Sequence, residues 1–326
     1  MKVLHELSEL RRRRKPVAVA VGFFDGVHRG HRAILDATRA CADEMNGRAW
    51  VLTFDTHPLR ILNPAAAPPL LTSNTHKLRL LRRRGMDGCL LLPFTRETAA
   101  TAAEDFVAAL AHAAPPLRHI VAGRNWRFGH RGRGDPTLLR HLLRGTGVEV
   151  SVMRPRVWKG ETISSTRIRA AVQRGSLDEA AAMLGRPYSV FGTVAGGIGL
   201  GRKLGYPTAN LDVHNEALPP YGIYAARAIL DRGRAQHCAG GVVSFGVRPT
   251  LGRRAGREPT CELHVFDFDG NLYGRDAEVF FVRKLRDERR FSSHRALAEQ
   301  IGRDVAAARA VLADTHGRRP FSLQTS

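Results

Sequence analysis

Two histidines flanking an Arg-Gly pair carry the strongest chemical signal in the sequence. They close the run Gly22-Phe23-Phe24-Asp25-Gly26-Val27-His28-Arg29-Gly30-His31, which follows the apolar stretch Val17-Ala18-Val19-Ala20-Val21 and opens a helical pattern. A helix N-terminus presents unpaired N–H groups and a partial positive charge, so it stabilises an anion. Gly26 and Gly30 permit close backbone approach to a phosphate. His28 and His31 are both able to donate hydrogen bonds to phosphate oxygens as charge develops in a transition state. The plainer alternative is a pair of surface histidines at a turn.

A second run, Ile163-Ser164-Ser165-Thr166-Arg167-Ile168-Arg169, sets three hydroxyls and two guanidiniums just before a helical stretch at residues 170–174. Hydroxyls at a helix start suit phosphate, and arginine offers the bidentate fork that phosphate prefers. A simple capping box would need an acid three residues on, and none stands at the right place.

Further along, Pro207-Thr208-Ala209-Asn210 follows a glycine-rich stretch at residues 196–201, which reads as a hinge or as a loop over phosphates. It is no Walker A loop, because Arg202-Lys203-Leu204 lacks the following Ser or Thr. Nor is it a dinucleotide fingerprint, since Pro207 blocks the helix that should follow. The structural alternative for Asn210 is a turn in which it bonds its own backbone. Glu262 lies in a strand-like run where alternation puts it on one face with His264 and Phe266. Such an acid is either solvent-facing or a base held in a cleft. Asp267-Phe268-Asp269-Gly270-Asn271 reads as a hairpin turn, and Arg286-Asp287-Glu288-Arg289-Arg290 as a solvated surface.

The elements that must position these residues change character midway. Residues 17–21, 49–54, 89–92, 119–122 and 148–152 are short buried-type strands. Between them, Ile34, Leu35, Thr38, Cys41, Ala42 and Met45 recur at helical spacing, and residues 77–84, 103–111 and 137–143 are helical too. This alternation predicts a parallel, Rossmann-like sheet. Residues 58–69, rich in proline and alanine, read as a loop or a small excursion. After Gly185-Arg186-Pro187, strand-like runs at 190–194, 222–230, 240–245, 260–268 and 277–285 are broken by Gly, Pro and Asp. They predict an antiparallel barrel or sandwich, closed by a helix over 293–312. The expected domains are residues 1–186 and 187–326.

Composition bounds the function. The 326 residues suit two domains, and 43% hydrophobic with 25% charged residues is ordinary for globular proteins. No apolar run approaches the ~18 residues needed to span a bilayer, and the charged start lacks a signal-peptide pattern. A cytoplasmic protein with four reduced thiols is therefore expected; the cysteines show neither C-x-x-C nor zinc spacing. The net charge of +21 favours anionic partners. Arginine far outnumbers lysine, and the only dense basic run is Arg11-Arg12-Arg13-Arg14-Lys15. Without interleaved aromatics or a helix-turn-helix signature, nucleic acid is not expected as the main partner. Homo-oligomerisation is left open.

Together the motifs resemble the HxGH nucleotidyltransferase superfamily, and the wider set resembles the bacterial bifunctional riboflavin kinase/FAD synthetase family. Residues 22–31, Thr53-Phe54-Asp55-Thr56-His57-Pro58, 123–129 and 163–169 fall in that family's order. Gly205-Tyr206-Pro207-Thr208-Ala209-Asn210-Leu211, 243–250, 262–274 and 285–291 continue it, so the resemblance covers nearly the whole chain. It implies a Rossmann-like adenylyltransferase domain, then a β-barrel kinase domain with a C-terminal helix.

The resemblance also implies residue roles. Riboflavin would be phosphorylated by ATP to FMN, and FMN adenylylated by a second ATP to FAD with release of pyrophosphate. His28 and His31 would stabilise the transferring phosphates. Gly22, Phe24, Asp25, Gly30, Ser164, Ser165, Thr166 and Arg167 would bind ATP. His57, Asn125 and Arg286 would border the flavin. Thr208 and Asn210 would hold Mg²⁺ and phosphate, and Glu262 would be the kinase base. A Mg²⁺ that keeps several waters needs no dedicated carboxylate cage.

Some positions depart from the family pattern. Thr56 stands where proline is usual, Arg124-Asn125-Trp126 replaces Glu-Asp-Phe, Ile198 a position that is often polar, and Val247 a threonine. These put flavin or nucleotide affinity in question, but none removes a residue assigned to the chemistry. Two other readings remain at this point: a single-activity adenylyl- or cytidylyltransferase with a flavin-binding barrel, and a basic nucleic-acid-binding protein.

Overall fold

The computed structural model describes residues 1–113, 116–196, 200–232, 235–247 and 259–314. Ile198, with Gly197 and Gly199, and residues 248–250 lie outside the described residues. The chain divides into two units, Met1–Leu70 with Asn74–Ser165, and Leu71–Ser73 with residues from Thr166 onward.

The first unit is an α/β sandwich. Its strands are β1 (Lys2–Leu4), β2 (Val17–Val21), β3 (Arg48–Phe54), β4 (Gly88–Leu92), β5 (Leu117–Gly123) and β6 (Glu149–Met153). They form one sheet in the order β1-β4-β3-β2-β5-β6, and every pairing is parallel. Parallel strands need helical crossovers, which cover both faces. The helices are α1 (Arg29–Glu44), α2 (Pro58–Leu62), α3 (Asn74–Arg83), α4 (Arg96–Ala100), α5 (Ala103–Ala113) and α6 (Pro136–Leu142).

Strand β2 shows why the sequence reads as it does. Val17, Val19 and Val21 pack into a core with Val107, Leu110 and Leu139 of α5 and α6. Ala18 and Ala20 pack on the opposite face with Ile34, Leu35 and Ala42 of α1 and Leu80 and Leu81 of α3. A strand buried on both faces has no polar side to show, hence the unbroken apolar run. The proline- and alanine-rich stretch is the small excursion expected, with α2 followed by a 3₁₀ turn at Pro64–Ala66. A two-stranded ribbon, β7 (Val157–Trp158) and β8 (Glu161–Thr162), follows the sheet.

The second unit begins with α7 (Ser165–Gln173) from Thr166 and α8 (Leu177–Leu184). Strands β9 (Ser189–Ala195), β10 (Ala209–Val213), β11 (Gly222–Arg232), β12 (Ala235–Val247), β13 (Pro259–Val265) and β14 (Asp276–Arg286) close a barrel in the order β10-β13-β12-β11-β14-β9. All six pairings are antiparallel. A short helix, α9 (Leu200–Lys203), precedes β10, and α10 (His294–Asp314) ends the described chain.

Helix α10 lies on the barrel's outer surface. Its Ala308, Val311 and Leu312 cluster with Ile223, Ala225, Val242 and Phe266. The alternate residues Val243, Phe245, Cys261 and Leu263 are buried as well, so these strands carry apolar side chains on both faces. The expectation of a hairpin at Asp267–Asn271 is corrected. The turn exists, but β13 pairs with β12 and β10 while β14 pairs with β11 and β9. Turn residues mark a reversal in the chain and not which strands become neighbours.

Candidate functional site

In the first unit the chemistry gathers where the strand order reverses. Strand β2 lies between β3 and β5, and open parallel sheets bind ligands at such a switch point, beyond the carboxyl ends of the strands. The loop from Gly22 to His28 leaves β2 there and is shaped by left-handed backbone at Phe24 (φ 57°), Gly26 (φ 77°) and Val27 (φ 42°). A β-branched residue in that region stores strain. Local bonds hold it: Val27 N–H donates to the Phe24 carbonyl (3.1 Å), and Thr53 Oγ1 donates to the Phe23 carbonyl (2.9 Å).

His28 caps α1, its Nδ1 accepting from the His31 backbone N–H at 3.2 Å. That bond leaves the proton of a neutral His28 ring on Nε2. The two imidazoles stack, with centroids 3.5 Å apart and planes 17° from parallel. The His31 Nδ1 is buried without a hydrogen bond. Burial first, then the neighbouring His28 and Lys77, hold the His31 pKa well below the usual histidine range, so at neutral pH it is an uncharged imidazole. Gly30 leaves room for this packing: a Cβ there would lie 3.0 Å from His28 Cε1, tight enough to shift the ring.

The remaining residues predicted for the first chemistry are distributed as follows. Phe24 is fully buried with its ring edge-on to His31 at 5.2 Å. Asp25 is buried too. Ser165 Oγ donates to the Asp25 carbonyl at 3.0 Å, which brings the serine run to the histidine loop. His57 caps α2 through Nδ1, which accepts from Leu59 N–H at 3.2 Å, and meets the Phe23 ring edge-on at 4.9 Å. Asn125 is exposed beyond the carboxyl end of β5, where Trp126 stacks on Phe128 at 4.6 Å. Thr166, exposed, and Arg167 occupy the first turn of α7 and belong to the second unit.

One residue of this unit carried no sequence signal. Lys77 on α3 is 2% exposed, and its Nζ donates to the Phe54 carbonyl at 2.8 Å. The ammonium sits 4.7 Å from the centroid of the Phe23 ring. Burial pushes its pKa down to about 8, against the pull of Asp25 and Asp55. A lysine in an amphipathic helix reads as surface; only the tertiary fold reveals that it points inward.

In the second unit, Thr208, Asn210, Glu262 and Arg286 line one cavity of about 440 Å³. Strand register explains the first grouping. Asn210 on β10 is the cross-strand partner of Glu262 on β13, whose partner on β12 is Ser244. Directly opposed residues share a face, so three polar side chains form a row across three strands. Leu297, Ile301 and Asp304 of α10 supply the other wall. His264 Nδ1 bonds the Pro207 carbonyl at 2.9 Å, fastening the segment before β10 to β13. Gly201 packs beneath Thr208, where a Cβ would meet the Tyr206 carbonyl at 2.4 Å and Thr208 Oγ1 at 3.0 Å.

Arg286 is more than solvated surface. Its Nε and Nη2 donate to the carboxylate of buried Asp304 at 2.9 and 2.7 Å, and Gln300 Nε2 donates to the same group at 2.8 Å. Ser244 and Asp304 were not legible in the sequence, because cross-strand register and helix placement bring them to the cavity, whereas strand alternation already set His264 on the face of Glu262. Among the described residues no group of three His, Cys, Asp or Glu is placed to hold a metal. The oxygens of Thr208 and Asn210 are hard donors of the kind that Mg²⁺ takes together with phosphates and water.

Known proteins bear on both units. Residues 10–167 match the FAD synthetase family and residues 184–312 the riboflavin kinase family. The bifunctional riboflavin kinase/FMN adenylyltransferase of Escherichia coli K12 is 34% identical over 306 residues, covering 94% of this chain and 95% of that protein. The protein of the same name from Pseudomonas fluorescens is 34% identical over 318 residues, 98% of this chain and 100% of its own length. A crystal structure described as a macrolide-efflux protein from Streptococcus pneumoniae matches with a TM-score of 0.79 at 27% identity, covering 95% of this chain and 99% of that one. Efflux is said of that protein; among the described residues here, no helix is long and apolar enough to cross a membrane. With a relative above 30% identity spanning nearly all of both chains, this chain belongs to the family of bifunctional riboflavin kinase/FMN adenylyltransferases.

Proposed function

We propose that the two activities of the family are divided between the units, with riboflavin phosphorylated at the barrel cavity and FMN adenylylated at the histidine loop. The observation that carries this reading is that Thr208, Asn210 and Glu262 line one cavity of the barrel unit, while His28 and His31 stack at a helix N-terminus of the other unit. The proposed kinase domain starts near Pro187 and the adenylyltransferase domain ends before it.

In the kinase step, Glu262 takes the proton of the riboflavin 5′-hydroxyl as that oxygen attacks the γ-phosphorus of ATP, and ADP leaves. Thr208 and Asn210 orient the phosphates and would hold Mg²⁺, which when bound neutralises phosphate charge. Arg286, fixed by Asp304, borders the isoalloxazine. In the adenylyl step, an FMN phosphate oxygen attacks the α-phosphorus of ATP in line, the bond to the β-phosphate bridge breaks, and pyrophosphate leaves. His28 Nε2–H and neutral His31 donate to the phosphate oxygens on which charge builds. Gly22, the Phe24 backbone, Asp25 and Gly30 shape the loop, while Ser164, Ser165, Thr166 and Arg167 hold the leaving end. His57 and Asn125 face the flavin. ATP serves both steps, and the free thiols of Cys41, Cys89, Cys238 and Cys261 accord with a cytoplasmic setting.

Purified protein given riboflavin, ATP and Mg²⁺ should yield FMN first and FAD after it, resolved by chromatography. FMN alone, or neither product, would overturn the two-step reading.

A further inference from the structure

The adenylyl half-site is assembled from loops leaving β2 and β3, and something must keep those loops in register. We propose that Lys77 is a positioning residue for adenylyl transfer: its buried ammonium joins the Phe54 carbonyl at the end of β3 to the Phe23 ring of the histidine loop, holding His28 and His31 in their stacked arrangement. This rests on the reading of that unit as the FMN adenylyltransferase.

The geometry is specific. Lys77 Nζ donates to the Phe54 carbonyl at 2.8 Å and lies 4.7 Å from the Phe23 ring centroid. The Phe23 carbonyl accepts from Thr53 Oγ1 on β3, and the Phe23 ring packs against His57. One buried cation therefore touches both arms of the loop cluster at the carboxyl ends of adjacent strands. A lysine only 2% exposed is costly to bury unless its charge is used.

Its electrostatic neighbours come from every element around it: Asp25 from the loop after β2, Asp55 from the end of β3, Cys89 from β4 and His31 from α1. The two carboxylates favour the ammonium, and burial opposes it; Cys89, its thiol pushed up to about 12 by burial, is uncharged in this range. With a pKa of about 8, Lys77 is mostly charged at neutral pH and loses its proton just above. Its charge also disfavours protonation of His31. A charge-dependent role is therefore largely present at neutral pH, halved near pH 8 and lost as pH rises further.

The test is the pH dependence of kcat/KM for FMN adenylylation, which reports the free enzyme. The parent should lose activity through an alkaline limb near pH 8. Lys77→Met should lower kcat/KM at pH 7 by roughly 10²-fold and have no such limb, and riboflavin phosphorylation should stay at the parental rate. Lys77→Arg, which keeps a charge at all accessible pH, should recover activity and stay flat above pH 8. A parent without the limb overturns the inference, as does a Lys77→Met protein at the parental rate, or one that is slow but keeps the limb. A parent that makes no FAD from FMN at any pH would instead sink the functional reading beneath it.

Discussion

The His28 and His31 imidazoles lie face to face, 3.5 Å between centroids, while His28 Nδ1 accepts the backbone N–H of His31. The cap thus fixes one ring's tautomer and the stack fixes the other ring's plane. Neither ring can turn without breaking a contact with its partner.

From this pairing follows a selective loss. His28→Ala or His31→Ala should each cut FAD formation from FMN by roughly 10²–10³, since each removes a transition-state donor. Riboflavin phosphorylation, assigned to the other unit, should persist. Equal loss of both activities in both variants would point to a shared site or to misfolding.

Gly30 tests the same geometry without touching a donor. Its missing Cβ is what lets His28 Cε1 and Nδ1 lie 3.0 and 3.1 Å from the position a methyl would take. Gly30→Ala should push the His28 ring by a few tenths of an ångström and slow adenylylation by roughly tenfold. The helix itself should tolerate alanine, which forms helix better than glycine. Steady-state rates with FMN as substrate, beside a thermal melt, would reveal whether activity falls while stability holds.

How much of this the chain spells out depends on the scale of the contact. The parallel sheet was legible because β2 is apolar on both faces, and the histidine loop because its glycines and histidines are contiguous. Strand β10 escaped reading, since Asn210 and Asp212 interrupt any apolar pattern. The row of Asn210, Glu262 and Ser244 depends on register across three strands, which no local pattern encodes. Lys77 is a harder case still: its burial comes from elements on either side of α3, and its own neighbours in sequence look like an ordinary amphipathic surface.

Modularity gives a test of the proposed boundary. Helix α8 buries Leu177, Ala180, Met183 and Leu184, and Leu71 accepts from Tyr188 Oη at 3.3 Å. Each large apolar side chain contributes about 2 kcal/mol when buried. A fragment starting at Pro187 should still make FMN but melt below one starting at Thr166, which keeps α8. If only the longer fragment is soluble and active, the domain boundary lies upstream of Pro187.

Glu262 faces Asn210 on one side and Ser244 on the other, in the cavity that Thr208 also lines. Glu262→Gln keeps the shape and most hydrogen bonding but cannot accept the ribityl proton. General-base catalysis is worth ~10²–10⁴, so FMN production should fall by about that factor with little change in KM for ATP. Thr208→Ala leaves the base intact and removes an oxygen donor to the phosphates, so it should raise KM for ATP as well as slow the reaction. Adenylylation of supplied FMN should remain near parental in both variants, because His28 and His31 stand in the other unit. The two half-reactions are measured separately, with riboflavin and then with FMN. Glu262→Gln phosphorylating riboflavin at the parental rate would leave Glu262 an ordinary strand acid and return the base to another group lining the cavity.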